Sequence, residues 1–179
     1  MGCIAGGDTQ NLLRQNDSVK NPPMVRVYVA GPLGFTASGA MYLAEVVLPA
    51  LREVGFEPLD PWTLPSEIGA ILALPEGNPR RAARLAEVNA YIGRRNAEMI
   101  ETCDAVLAFL DGPDVDSGTA AEIGYASALR KRVIGLRSDF RKSGDNEAAV
   151  VNLQVEWFII KSGGCIETVL DVAIERLSD

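Results

Sequence analysis

Residues 105–126 read AVLAFLDGPDVDSGTAAEIGYA, and three kinds of local order follow one another along them. Ala105 to Asp111 is a nearly continuous apolar run, the composition of a strand buried on both faces. Asp111 to Gly118 gathers Gly, Pro, Asp and Ser, the composition of a turn-forming loop. Thr119 to Leu129 then sets alanine on nearly every inward position of a helix. A wholly apolar strand, a loop and a helix in that order form one unit of a parallel sheet covered by helices.

The same alternation extends in both directions. Residues 24–30, MVRVYVA, alternate, are rich in β-branched side chains and stop at Gly31-Pro32. From Gly39 to Val54 the apolar positions Met41, Leu43, Val46, Val47, Ala50, Leu51 and Val54 recur at helical spacing, and Gly55 supplies a stop. Residues 56–59 form a short second strand. Residues 60–79 form a proline-rich loop with room for one helical turn, of a length that suits a lid or binding segment. Residues 80–102 read as a helix, with a break near Gly93. Beyond the central unit come a strand from Lys131 to Leu136, a polar loop at 138–148, an apolar stretch at 150–160 and a final helix at 166–177. This pattern predicts a parallel sheet with helices on both faces.

At 179 residues the chain has room for one well-buried domain and not for two. That domain spans 24–179, after a flexible tail over 1–23 that lacks the basic and apolar regions of a secretory signal. Met1-Gly2-Cys3 opens like an acylation site, but Gly6 stands where that signal takes Ser or Thr. No apolar run approaches the roughly 18 residues of a membrane span. The net charge of −7 gives no general attraction for a nucleic-acid polymer, so small-molecule substrates are expected. Three widely spaced cysteines without a CxxC indicate neither a disulfide framework nor a zinc site, and a cytoplasmic setting is expected.

The chain contains no histidine. Ser-His-Asp and Cys-His machinery are thereby excluded, as is any histidine-ligated metal, and carboxylates become the leading reactive groups. In open parallel sheets ligands bind beyond the carboxyl ends of the strands, which directs attention to the loops after residues 30 and 111. The first, Gly31-Pro32-Leu33-Gly34-Phe35, allows close approach of backbone to ligand, with Tyr28 on the strand beneath it. The second concentrates Asp111, Asp114 and Asp116, followed by Ser117, Gly118 and Glu122. Helix capping competes with a functional role for Asp116. Glu122 is flanked by Ala120-Ala121 and Ile123-Gly124, and a lone carboxylate in so apolar a helix is costly unless it is paired or used. A Mg²⁺ or Ca²⁺ site fits the Asp-x-Asp spacing, yet neither an EF-hand pattern nor a phosphate loop accompanies it. Phe35 and Trp62 suit either stacking on a planar ligand or ordinary packing. Arg80, Arg81, Arg84, Arg94 and Arg95 suit a solvated helix face or a phosphate.

The block DGPDVDSGTAAEIGYA at 111–126, with AVLAFL before it, KRVIGLRSD after it and YVAGPLGF at 28–35, resembles the nucleoside 2-deoxyribosyltransferase family over about residues 25–177. The resemblance implies a flavodoxin-like three-layer sandwich with a mostly parallel five-stranded sheet. It implies exchange of the base of 2′-deoxynucleosides with free nucleobases through a covalent deoxyribosyl-enzyme, without metal or cofactor. On it, Glu122 is the nucleophile, Asp116 binds a sugar hydroxyl and Tyr28 contacts the nucleophile. Gly31, Pro32, Phe35, Trp62, Asn96, Asp114, Ser117 and Gly118 are the expected substrate-binding residues. A homo-oligomer is also implied, in which a neighbour lends an Asn from an Asn-Leu-Met stretch, here Asn152-Leu153-Gln154. Gln154 departs from that pattern. So does Asn96, where many relatives carry an Asp that manages the proton of the leaving base; either Asp60 or Glu98 replaces it or the substrate range differs. Two further readings of the same residues stand beside transfer: hydrolysis of 2′-deoxynucleoside 5′-monophosphates, and nucleoside binding without turnover.

Overall fold

The computed structural model describes residues 24–179. The amino-terminal tail, with Met1-Gly2-Cys3, lies outside the described residues. Five strands, β1 (Arg26–Ala30), β2 (Glu57–Leu59), β3 (Ala105–Phe109), β4 (Arg132–Leu136) and β5 (Ile166–Glu167), pair in the order β2-β1-β3-β4-β5, every pair parallel. The sheet expected to be mostly parallel is therefore wholly so, in flavodoxin-like order.

Strand side chains alternate between faces, and two separate cores result. Val27, Val29, Leu107, Phe109, Ile134 and Leu136 face the layer of α1 (Ala37–Tyr42), α2 (Leu48–Glu53) and α7 (Leu170–Arg176). Tyr28, Ala30, Val106, Ala108, Leu110 and Val133 face Ile100, Ile123, Ala126, Val155 and Ile159 of α4 (Pro79–Thr102), α5 (Ser117–Ala128) and α6 (Leu153–Lys161). The continuous apolar run of β3 is thus explained: all five of its residues are buried. Between α1 and α2 the helix widens into a π-helical stretch, Leu43–Val47, where Pro49 cannot donate the hydrogen bond that a regular turn requires.

The order places β1 next to β3 while the chain leaves β1 towards β2, on the other side. This is the reversal at which open α/β sheets form a crevice at their carboxyl ends. The loops after β1 and β3 open onto it.

Several expected boundaries are corrected. The helix over 79–102 runs through Gly93 without a break, because one glycine costs only about 1 kcal/mol in a helix of this length. The 60–79 loop contains a seven-residue helix, α3 (Ser66–Leu72), around buried Ile68. The apolar stretch at 150–160 is largely α6. The final helix begins at Leu170 and not at 166, because Ile166–Glu167 completes the sheet: the amides of Gly135 and Arg137 donate to the carbonyls of Cys165 and Glu167, at 2.9 and 2.8 Å. Finally, α5 starts at Ser117, two residues earlier than expected, since Asp116 caps it.

Candidate active site

A cavity of about 260 Å³ lies over the crevice, lined by Gly31 and Phe35 from the first loop, Pro61, Trp62 and Leu64 from the segment after β2, Ile92 and Asn96 from α4, and Asp116, Gly118, Thr119 and Glu122 from the start of α5. Its size suits a small ligand and not a polymer.

Glu122 and Tyr28 meet at one side of it. The fully buried Tyr28 projects from β1 towards α5, and its hydroxyl donates to Glu122 Oε1 at 2.6 Å. Burial pushes the Glu122 carboxyl above the ordinary carboxylate value; the Tyr28 hydrogen bond pulls it back, and the nearby Asp116 charge pushes it up again. Burial, followed by the charge of Glu122, pushes the Tyr28 phenol far above its ordinary value, so it stays protonated and remains a donor. The pair is a carboxylate held by a permanent hydrogen-bond donor, the arrangement that keeps a buried carboxylate ionised and fixed.

Asp116 caps α5 and also faces the cavity. Its Oδ2 accepts from the Thr119 amide at 3.1 Å and the Thr119 hydroxyl at 3.3 Å. The other two aspartates of the loop go elsewhere. Asp114 is exposed and accepts from the Val115 amide, while Asp111 accepts from the Ser138 hydroxyl at 2.6 Å and the Asp139 amide at 2.8 Å. Among the described residues no three carboxylate or thiol side chains converge as metal ligands would.

The remaining expected residues divide. Gly31, Phe35, Trp62, Asn96 and Gly118 line the cavity; Pro32, Asp114 and Ser117 do not, and the last two are exposed to solvent instead. Asn152 caps α6 through the amides of Gln154 and Val155, and neither Asn152 nor exposed Gln154 lines this cavity. A Cβ on Gly31 would come within 2.9 Å of Phe109 Cβ, so the strand end can sit this close to β3 only with glycine there. At Gly34 a Cβ would fall inside the Trp62 ring.

Trp62 is firmly held. Its indole N–H donates to the Gly31 carbonyl at 3.1 Å, its amide to Asp60 Oδ1 at 2.9 Å, and Phe35 meets it edge-on with ring centroids 4.6 Å apart. Sequence reasoning singled out Trp62 without foreseeing that its polar edge was already engaged. It missed Pro61, Leu64, Ile92 and Thr119. Ile92 precedes Asn96 by one helical turn, a spacing that would have found it once Asn96 was placed. Arg137 was also missed: 3% exposed, it donates to the carbonyls of Leu110, Gly112 and Arg141.

The arrangement can present an ionised carboxylate to an electrophilic carbon, with a second carboxylate nearby and apolar walls for a planar group. No helix among the described residues is long and apolar enough to cross a membrane.

No curated protein matches. Among solved structures, the chain is similar to the 2-deoxyribosyltransferase of Bacillus psychrosaccharolyticus, at 18% identity over 84% of this chain and 90% of that one, with a TM-score of 0.56. It is similar to a CMP N-glycosidase of Clostridium botulinum, at 18% identity over 86% and 99%, TM-score 0.52. It is also similar to a 2-deoxyribosyltransferase from Leishmania mexicana, at 26% identity over 73% and 85%, TM-score 0.52. The family model described as nucleoside 2-deoxyribosyltransferase matches residues 27–154, which hold all of β1 after Arg26, the whole of α5 and every residue lining the cavity; the chain belongs to the nucleoside 2-deoxyribosyltransferase family.

Proposed function

We propose that this protein transfers the 2-deoxyribosyl group between nucleobases, with Glu122 as nucleophile. The observation that carries the reading is the 2.6 Å hydrogen bond from Tyr28 to Glu122 beside the cavity. In the first step a Glu122 oxygen bonds to C1′ of the sugar while the C1′–N bond breaks and its electron pair leaves with the base. In the second, the nitrogen of an incoming base attacks C1′ and returns the electron pair to Glu122. Cleavage builds positive charge at C1′, which a neighbouring carboxylate stabilises before it forms the ester. Asp116, capping α5 beside the cavity, is placed to accept from a sugar hydroxyl, and the Phe35 and Trp62 side is apolar enough to hold a base.

The second reading is hydrolysis of a 2′-deoxynucleoside 5′-monophosphate, supported by the fold shared with a CMP N-glycosidase. The charges lining the cavity oppose it: two carboxylates and no cation among the described residues, a poor setting for a phosphate dianion. We further propose that the enzyme is a homo-oligomer in which Asn152 serves a neighbour's site. In support, α6 exposes Leu153, Trp157 and Ile160 along one stripe directly after Asn152.

The test mixes deoxyinosine with and without free adenine and follows deoxyadenosine and hypoxanthine by chromatography, for wild type and Glu122→Ala. Deoxyadenosine formed by wild type and lost by at least a thousandfold in the variant is the expected outcome. Hypoxanthine without deoxyadenosine would mean hydrolysis. No turnover of this or a thymidine donor would remove the transfer reading in favour of phosphorylated substrates or binding alone.

A further inference from the structure

When a glycosidic C–N bond breaks, the electron pair either stays on the base as an anion or is taken up by a proton that an acid delivers. The cavity is lopsided in this respect. Its two carboxyl groups, Asp116 and Glu122, stand together at the start of α5. The remaining wall, Phe35, Pro61, Trp62, Leu64, Ile92 and Asn96, carries no side chain that exchanges a proton near neutral pH.

The groups that could have supplied a proton are engaged or turned away. Asp60 does not line the cavity; its oxygens accept from the Trp62 amide and the Thr63 hydroxyl, both at 2.9 Å. Glu98 is exposed and follows Asn96 by two residues, which puts it on the other side of α4. Arg95 donates to the Pro61 carbonyl at 3.3 Å, and a guanidinium does not give up its proton. The Tyr28 hydroxyl is given to the nucleophile. Asn96 itself lines the cavity with its amide oxygen buried and without a hydrogen-bond partner among the described residues. No hydrogen bond from another described residue orients that amide, so its N–H edge or its carbonyl is available to a ligand.

Resting on the proposed deoxyribosyl chemistry, we infer that the base departs from this enzyme without a proton from the protein, as an anion hydrogen-bonded by the Asn96 amide, so that its preferred substrates are 2′-deoxynucleosides of the more acidic bases. As Glu122 bonds to C1′, the C1′–N electron pair passes to the base nitrogen, Asn96 Nδ2–H donates to the anion, and water protonates the base after release. Asn96 is then a specificity-determining residue. It stabilises a leaving anion by one hydrogen bond and does nothing to level bases of different acidity.

The test is single-turnover cleavage, at neutral and alkaline pH, of the 2′-deoxyribosides of 5-fluorouracil, uracil and thymine, whose N–H acidity falls in that order, and in parallel of 6-chloropurine, purine and adenine. Wild type should slow by close to tenfold for each unit of acidity lost, the response of a leaving group that bears nearly a full charge. Asn96→Asp should flatten the series at neutral pH and gain most on thymidine, and Asn96→Ala should slow every member while keeping the slope. A flat series in wild type, with cleavage still dependent on Glu122, would overturn the inference, because some group would then be delivering a proton. Should wild type cleave no member of either series, the deoxyribosyl reading itself would fall and this one with it. The wild-type series decides the matter even if neither variant folds.

Discussion

The Tyr28–Glu122 pair shows what one hydrogen bond sets in this site. Burial favours the neutral acid of Glu122, and the Tyr28 hydroxyl favours the carboxylate. In the proposed reaction Glu122 attacks only when ionised, so kcat/KM should fall as pH drops through a value above the ordinary carboxylate value. Tyr28→Phe removes the group that holds that value down. A hydrogen bond to a charged group is worth about 1.5–3 kcal/mol, so the acid limb of the pH–rate profile should move to higher pH. A limb that stays in place would mean that Tyr28 only packs. Glu122 was legible in the sequence because a lone carboxylate among Ala and Ile demands a reason, and the reason is physical. Pro32, Asp114 and Ser117 were credited with the same site and lie outside its lining, because composition identifies a turn without saying which of its side chains face inward. Asn96 was legible only by register against the family pattern; its unpartnered oxygen belongs to the folded molecule.

At the level of elements, the loop carrying Asp116 is fastened to the loop after β4 by two clasps. Arg137 reaches across to the carbonyls of Leu110 and Gly112, and Asp111 reaches back to Ser138 and the Asp139 amide. Arg137 has no carboxylate partner among the described residues, so its charge is balanced by carbonyl oxygens alone. Arg137→Met should leave the buried Leu110 carbonyl unsatisfied and cost about 1–3 kcal/mol, read by urea unfolding. It should also raise KM for the nucleoside as the loop loosens; unchanged stability would show that water replaces the guanidinium. These clasps join residues some 27 apart and could not be read from either loop by itself. The strands β1, β3 and β4 were legible because their apolar runs are continuous or alternating. In contrast, β5 has two residues and no period to detect, and it exists because β4 offers a free edge. In α6, apolar residues occupy both the buried face, at Val155 and Ile159, and the exposed one, at Leu153, Trp157 and Ile160, and such a segment carries no helical signature.

For the molecule as a whole, the flavodoxin-like parallel sheet followed from the β-α alternation together with the resemblance, whereas the assembly lies beyond the single chain. If α6 is the contact through which Asn152 reaches a neighbour, Trp157→Glu should lower the sedimentation coefficient to that of a monomer and reduce transfer at least tenfold, with the circular dichroism unchanged. An unaltered sedimentation coefficient would place α6 outside any interface. The cavity, too, belongs to the whole: segments around residues 34, 62, 96 and 122 meet only after folding. A side chain at position 34 would enter the space of the Trp62 ring, so Gly34 cannot be enlarged while Trp62 stays. In a library that randomises both codons, a bulkier residue at 34 should therefore survive only beside a smaller one at 62, whereas smaller residues at 62 should be accepted with Gly34 unchanged.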